Sequence, residues 1–196
     1  MGQLNKKNKS RTNYRKRLKL LKGKGMRLVI RKSLKHTTIQ LIEYYEKGDK
    51  VITASSSKEL EKLFNWKLNG SSIPSAYLVG FLIGKKLKGE KKKNKGIILD
   101  IGNSHPAKGS AIFSALKGVL DAGIDIPHSP DIFPSESAIK GAAIAEYFKK
   151  LKTNTNSKNQ FSGYLNDNVD VAQIQKNFDD LKKKIQEGNY NAEKRA

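Results

Sequence analysis

Between Met1 and His36 the chain carries fourteen Lys and Arg residues and no Asp or Glu; the first acid is Glu43. This segment supplies +14 of the formal +21, leaving +7 for all the rest. A stretch of one charge sign repels itself and buries too little apolar surface to fold alone. It needs a polyanion to lie on, and its unopposed charge predicts that residues 1–25 are unordered until one arrives. The charge is interrupted by Tyr14, Leu18, Leu20, Leu21, Leu28, Val29 and Ile30. Such breaks suit docking on a structured surface better than plain solvation. A pI near 10.0 makes nucleic acid the partner class, rather than an acidic small substrate.

Length and composition leave room for one domain with tails. At 196 residues and 37% hydrophobic content, a core of about 110–130 residues is expected. There is no Cys, which excludes a disulfide framework, a thiolate nucleophile and a Cys-based zinc site, and is compatible with a cytosolic life. The longest apolar run, Ala76 to Ile83, is too short to span a bilayer. The N-terminus has the charge of a signal peptide without the apolar stretch that should follow. Its leucines make no single stripe, which argues against a membrane surface.

In chain order, Gly2 to Gly25 reads as a basic arm with a short helix over Tyr14 to Leu21, ended by Gly23 and Gly25. Arg27 to Ser33 reads as a strand, with Leu28 and Ile30 on one face and Arg27, Val29 and Arg31 on the other. Ser33 to His36 is a turn, Thr37 to Tyr45 a second strand, Lys47-Gly48-Asp49 another turn, and Lys50 to Ser55 a third strand. A short helix over Ser57 to Leu63 follows, then a longer one from Pro74 with Ser72 as its cap. In that helix Ala76, Gly80 and Gly84 form a row predicted to approach the sheet closely. The Lys-rich stretch Lys85 to Lys95 reads as a solvated helix end and loop. Gly96 to Ile101 reads as a buried strand parallel to the third.

Ser110 is predicted to cap a helix ending at Gly123, and Ser135 another that buries Ile139, Ala142, Ala143 and Tyr147. Lys149 to Gln160 reads as a linker. Val171, Ile174, Phe178, Leu181 and Ile185 form a seam on a last helix, placed to pack back on the domain or to dock on a partner. The fold class is α/β: a three-stranded antiparallel meander plus a parallel strand, packed by helices, with a basic N-terminal arm and a C-terminal helical tail. The chain divides into an arm (1–25), a core (26–148), a linker (149–168) and a C-terminal helix with its tail (169–196).

Enzyme chemistry has one candidate stretch. A strand leading through Gly102 to Lys108-Gly109-Ser110 at a helix start has the general anatomy of a phosphate cradle. The nucleotide-binding P-loop, however, has four residues between its glycines and then Gly-Lys-Ser/Thr; here six residues intervene and the order is Lys-Gly-Ser. Asp100 and His105 lack a nucleophile or third partner, so Asp100 reads better as an acceptor for loop N–H groups. His36, His105 and His128 lack metal-ligand spacing, and no metal or cofactor is called for. Trp66 is the single Trp and reads as a packing anchor. Without a platform of repeated aromatics, the chain reads folded RNA by shape rather than single strands by sequence.

Several strings together then carry a resemblance. They are Arg11-Thr12-Asn13-Tyr14 with Arg15 and Arg17, Arg27 to Ser33 with Lys35-His36, and Pro74 to Leu78. Leu99 to Gly102, Lys108-Gly109-Ser110, Ala115 to Gly118, Asp121 to Ser129 and Ile144 to Tyr147 complete the set. From about Arg11 to Tyr147 the sequence resembles the archaeal form of large-subunit ribosomal protein eighteen, whose eukaryotic relative is large-subunit ribosomal protein five. The string Asp-Ala-Gly-Ile-Asp-Ile-Pro-His-Ser is the specific one.

The resemblance implies a non-catalytic constituent of the cytoplasmic ribosome. It would bind 5S rRNA and large-subunit rRNA beside neighbouring proteins of the central protuberance, with no membrane partner. It also implies RNA contact at Arg11, Tyr14, Arg15, Arg17, Arg27, Arg31, Lys32, Ser33, Lys35 and His36, and at Lys108 and Ser110 in the loop. Leu34 stands where the family commonly has a polar turn residue. The competing readings are a phosphate-loop or nuclease-type enzyme using Asp100 to Ser110, and a non-specific basic RNA chaperone.

Overall fold

A computed structural model describes residues 13–23, 25–89, 96–152, 161, 164 and 169–188. Arg11 and the rest of the arm before Asn13 lie outside the described residues. Helix α1 spans Tyr14–Lys22, followed by strands β1 (Met26–Lys32), β2 (Thr37–Tyr45) and β3 (Gly48–Ser56). Then come α2 (Ser57–Phe64), α3 (Ile73–Gly89), β4 (Ile97–Asp100) and α4 (Ala111–Asp121). Short α5 (Glu136–Ile139), α6 (Ala142–Lys152) and C-terminal α7 (Ile174–Gln186) complete the described α-helices, with 3-10 turns at Pro130–Ile132 and Val171–Gln173.

The strand order is β3-β2-β1-β4. The first three strands form the expected antiparallel meander. Strand β4 runs in the same direction as β3 but pairs with β1, in parallel, from Met26↔Ile97 to Val29↔Asp100. A helical crossover is what such a parallel pair requires. The pairing sends the β1–β2 turn and the loop after Asp100 out of the same end of the sheet.

Alternation in β1 puts Leu28 and Ile30 in the core, fully buried with Ile39 of β2. The opposite face is not left to solvent: Val29 and even Arg27 are buried there as well. Leu41 and Ile42 of β2 alternate to the two faces and both are buried, while the β2–β3 ladder shifts register beside them, leaving Ile52 of β3 as the extra residue.

Helix α3 is apolar on nearly every side, with Tyr77, Leu78, Val79, Phe81, Leu82 and Ile83 all buried. It packs against β2 and β3, while α4 reaches β1. Its row of small residues faces α4 and not the sheet. A Cβ on Gly80 would lie 2.0 Å from the Ala115 carbonyl oxygen, and one on Gly118 of α4 would lie 2.2 Å from that of Tyr77. Two backbones this close leave no room for a side chain, and that is why the row faces a helix. The Tyr77 phenol donates to Asp121 at 2.7 Å, and burial followed by that bond pushes its pKa upward.

Two boundaries differ from the sequence expectation. The helix begun by Ser135, whose Oγ accepts from the Ala138 N–H, stops after one turn. Gly141, at φ +82°, breaks it. The restart shifts the phase, so Ala145 and Phe148 are buried and Tyr147 is exposed. Helix α6 continues to Lys152, past the expected linker start, and Phe161 is buried against Phe148 with ring centroids 5.1 Å apart. Helix α7 packs back on the core: Phe178 meets Tyr77 at 5.4 Å, and Ile174, Leu181 and Ile185 are buried with it. No helix among the described residues is long and apolar enough to cross a membrane.

Candidate nucleic-acid interface

Helix α1 exists because Asn13 starts it, its Oδ1 accepting the Lys16 N–H at 3.0 Å, and because Lys19 and Lys22 sit favourably at its negative end. It is the short helix read from the sequence, extended by one residue to Lys22. It lies on the sheet face opposite α3, lining one cleft with Val29, Gln40 and Ile42 through Lys16, Arg17 and Leu20. Arg17 pairs with Asp49 at 2.8 Å, and Lys16 Nζ donates to the Gly102 carbonyl at 3.0 Å. Asp49 supplies opposing charge that a reading of the arm by itself omits. None of the nine residues of α1 is fully buried.

Beneath the helix runs a chain of charges. Arg27 donates to Asp49 at 2.8 Å and to Asp100 at 3.1 Å. Arg31 reaches the Asp100 carbonyl at 3.1 Å and its carboxylate at 3.6 Å. Asp100 Oδ1, the oxygen nearest Arg31, also accepts the Gly102 N–H at 2.8 Å, the loop role read from the sequence, while Oδ2 takes Arg27. Gly102 has φ +60°, and a Cβ there would press to 2.8 Å on the Arg31 guanidinium. With two arginines and a backbone N–H on it, Asp100 has no free carboxylate for acid–base work. Among the described residues no three His, Asp or Glu cluster as a metal site would require.

The predicted contact residues therefore divide. Tyr14 and Arg15 are exposed on α1, Arg31, Lys32, Ser33 and Lys35 at the end of β1 and its turn, and Lys108 on the loop. Arg17 is half-buried and ion-paired. Arg27 corrects the expectation that β1 presents it outward. It is 4% exposed and bound by two carboxylates, because α1 roofs that face of the strand. Ser110 holds the N-cap backbone position of α4 without a capping bond, and its Oγ is buried with no partner, so the hydroxyl does not face out.

The tip of the basic hairpin is closed by Ser33. Its N–H donates to the His36 carbonyl at 2.8 Å, and its Oγ accepts from the His36 N–H at 3.0 Å. The closure leaves Leu34 outside, 91% exposed. Lys19 and Lys22, four and seven residues after Arg15, are exposed cations that the motif-based reading passed over. Helical spacing signals them in the sequence. Asp49 was also missed as a site residue; nothing in the sequence sets it apart from Glu43 and Glu46 of the same β2–β3 hairpin.

The α/β core carries an acid-free basic helix and a basic β1–β2 turn, a layout that suits a polyanion partner. Residues 2–96 and 87–129 match the family described as ribosomal large subunit proteins 60S L5 and 50S L18. Over 175 residues the chain is 42% identical to the large ribosomal subunit protein uL18 of Korarchaeum cryptofilum (strain OPF8), spanning 89% of this chain and 88% of that one. The chain belongs to this family of large-subunit ribosomal proteins, in its archaeal type.

Proposed function

We propose that this protein is a structural constituent of the large ribosomal subunit that binds 5S rRNA. It helps attach that RNA to the large-subunit rRNA in the central protuberance, beside neighbouring ribosomal proteins of the cytoplasmic ribosome. The observation that carries the reading is the array of exposed cations on α1, Arg15, Lys19 and Lys22, on a helix without an acid. Each phosphate they neutralise releases counterions and strengthens binding. Tyr14 adds an exposed ring for stacking, and Arg31, Lys32, Ser33, Lys35, His36 and Lys108 extend the surface from the same end of the sheet. Because α1 is already a helix on a rigid sheet, part of the ordering cost of binding is met before RNA arrives. Arg27 acts here within the sheet, tying β1 to Asp49 of β3 and Asp100 of β4. The mechanism is non-catalytic and uses no cofactor.

The test is binding to 5S rRNA against an equal mass of transfer RNA across a salt series, for the native chain and for Arg15→Ala/Lys19→Ala. The expected result is a 5S preference that persists at physiological ionic strength, with a salt slope shallower by about 1.5 in the variant. Equal binding of both RNAs that collapses with salt overturns the reading and leaves a generic polycation.

A further inference from the structure

Beside the hairpin tip lies a groove apart from the cations of α1, sharing only Lys35 and His36 with the surface described above. Its wall is the Ser33–His36 turn, clamped to the segment before α3. Ser71 Oγ donates to the Leu34 carbonyl at 2.7 Å, and His36 forms a parallel bridge to Gly70. A Cβ on Gly70 would lie 2.2 Å from Ser57 Oγ and 2.9 Å from the Lys35 carbonyl oxygen, so the two segments meet backbone to backbone. On the far side the Tyr164 hydroxyl accepts the Asn69 N–H at 3.0 Å. These segments and α2 enclose an open cavity of about 580 Å³, inside the ~300–1,000 Å³ range of small-ligand sites.

The lining has a definite chemistry. His36, Tyr164 and the edge of Trp66 supply rings, Lys35 and Lys67 supply cations, and Glu61 is the acid. Lys35, Lys67 and Glu61 are exposed, and no ion pair among the described residues engages them. His36 Nδ1 lies 3.3 Å from Ser57 Oγ, which leaves Nε2 for a ligand.

We propose that this groove is a subsite for one unstacked nucleotide, its phosphate held by Lys35 and Lys67, its base against the Tyr164 and His36 rings, and its edge read by Glu61. The source of the nucleotide rests on the RNA-binding reading above. Bases splayed out of a folded RNA are recognised by stacking on aromatic rings and by hydrogen bonds to their edges. A carboxylate only accepts hydrogen bonds. Guanine offers two adjacent donors on its Watson–Crick edge, whereas uracil offers one N–H between two carbonyls that a carboxylate repels. The subsite therefore prefers guanine to uracil.

The full chain is titrated with GMP and with UMP to about 10 mM, a range that detects millimolar binding, and followed by amide and indole NMR. Trp66 is the only tryptophan, so its indole N–H, which donates to Ser75 Oγ at 2.8 Å, gives one signal at the groove wall. With GMP the Trp66 indole and the Asn69 and Gly70 amides shift together, and UMP binds at least about fivefold more weakly. Glu61→Gln brings the two nucleotides to within about twofold of each other, and Lys67→Ala weakens both by about threefold or more.

A silent groove overturns the subsite. So do shifts confined to α1 that inorganic phosphate reproduces, or a guanine preference that survives Glu61→Gln. Affinity for 5S rRNA, measured in parallel, separates the two ideas. A silent groove with an intact 5S preference removes the subsite and leaves the proposed function. A responsive groove with equal binding of 5S and transfer RNA does the reverse.

Discussion

Arg27 tests whether charge at the junction of arm and sheet is structural. Its guanidinium joins Asp49 at 2.8 Å and Asp100 at 3.1 Å while almost wholly buried, and Asp100 is only 6% exposed. Arg27→Leu keeps much of the bulk and strips both carboxylates of their shared cation. Stranding one partner of a buried pair costs about 3–5 kcal/mol. Asp100 would retain the Gly102 N–H and the longer Arg31 contact, and Asp49 would retain Arg17, so the lower end, about 3 kcal/mol, applies. The control is Arg17→Leu, which removes a pair whose side chains are 38% and 24% exposed and costs about 0–1 kcal/mol. With a urea m-value of about 2 kcal/mol/M, the unfolding midpoint falls by roughly 1.5 M for Arg27→Leu and by less than roughly 0.5 M for Arg17→Leu. Because Arg27 neutralises carboxylates and no phosphate, its replacement leaves the salt slope of RNA binding unchanged. Equal midpoint shifts, or a slope shallower by about one in Arg27→Leu, would refute the reasoning.

Arg15→Ala alone lowers the salt slope of 5S rRNA binding by about 0.7–0.9 and leaves the unfolding midpoint in place, which a paired filter-binding and urea experiment checks. Gly80→Ala drives a Cβ against the Ala115 carbonyl. At about 3 kcal/mol of overpacking it lowers Tm by roughly 6–12 °C, seen in a thermal scan. Gly96→Ala, with nothing within 4 Å of its Cβ, leaves Tm unchanged. Phe178→Ala empties a site that is 1% exposed and costs about 3–5 kcal/mol in urea unfolding. A loss below about 1 kcal/mol would mean that α7 is not part of the core.

The meander was legible because period-2 alternation and turn residues act locally: β2 spans Thr37–Tyr45 as read, and Ser33 and Gly48 stand at its turns. The order of the strands was not, since nothing near Ile97 in sequence says whether it pairs with β1 or β3. The seam from Val171 to Ile185 was visible, but its partner, the Tyr77 face of α3, is about a hundred residues away. Site residues followed the same rule. Arg15 and Lys35 are exposed cations, as charge alone suggests. Arg27 looked the same in sequence, and only the placement of Asp49 and Asp100 turns it inward. Glu61, Lys67 and Tyr164 carry no motif; they become neighbours through the contact of Gly70 with the hairpin turn.

Asp49 serves two arginines from one oxygen, and that sharing sets how the arm can leave. When Arg17 lets go, Arg27 remains 2.8 Å from the same oxygen, so release strands no carboxylate. What is given up is an exposed ion pair worth about 0–1 kcal/mol, one Lys16 hydrogen bond worth about 1 kcal/mol, and the contact of the half-buried Leu20 and Leu21. The sheet thus keeps its own counterions whether or not the helix is seated. An incoming polyanion competes only for the outer half of this latch, and the inner half stays closed behind it.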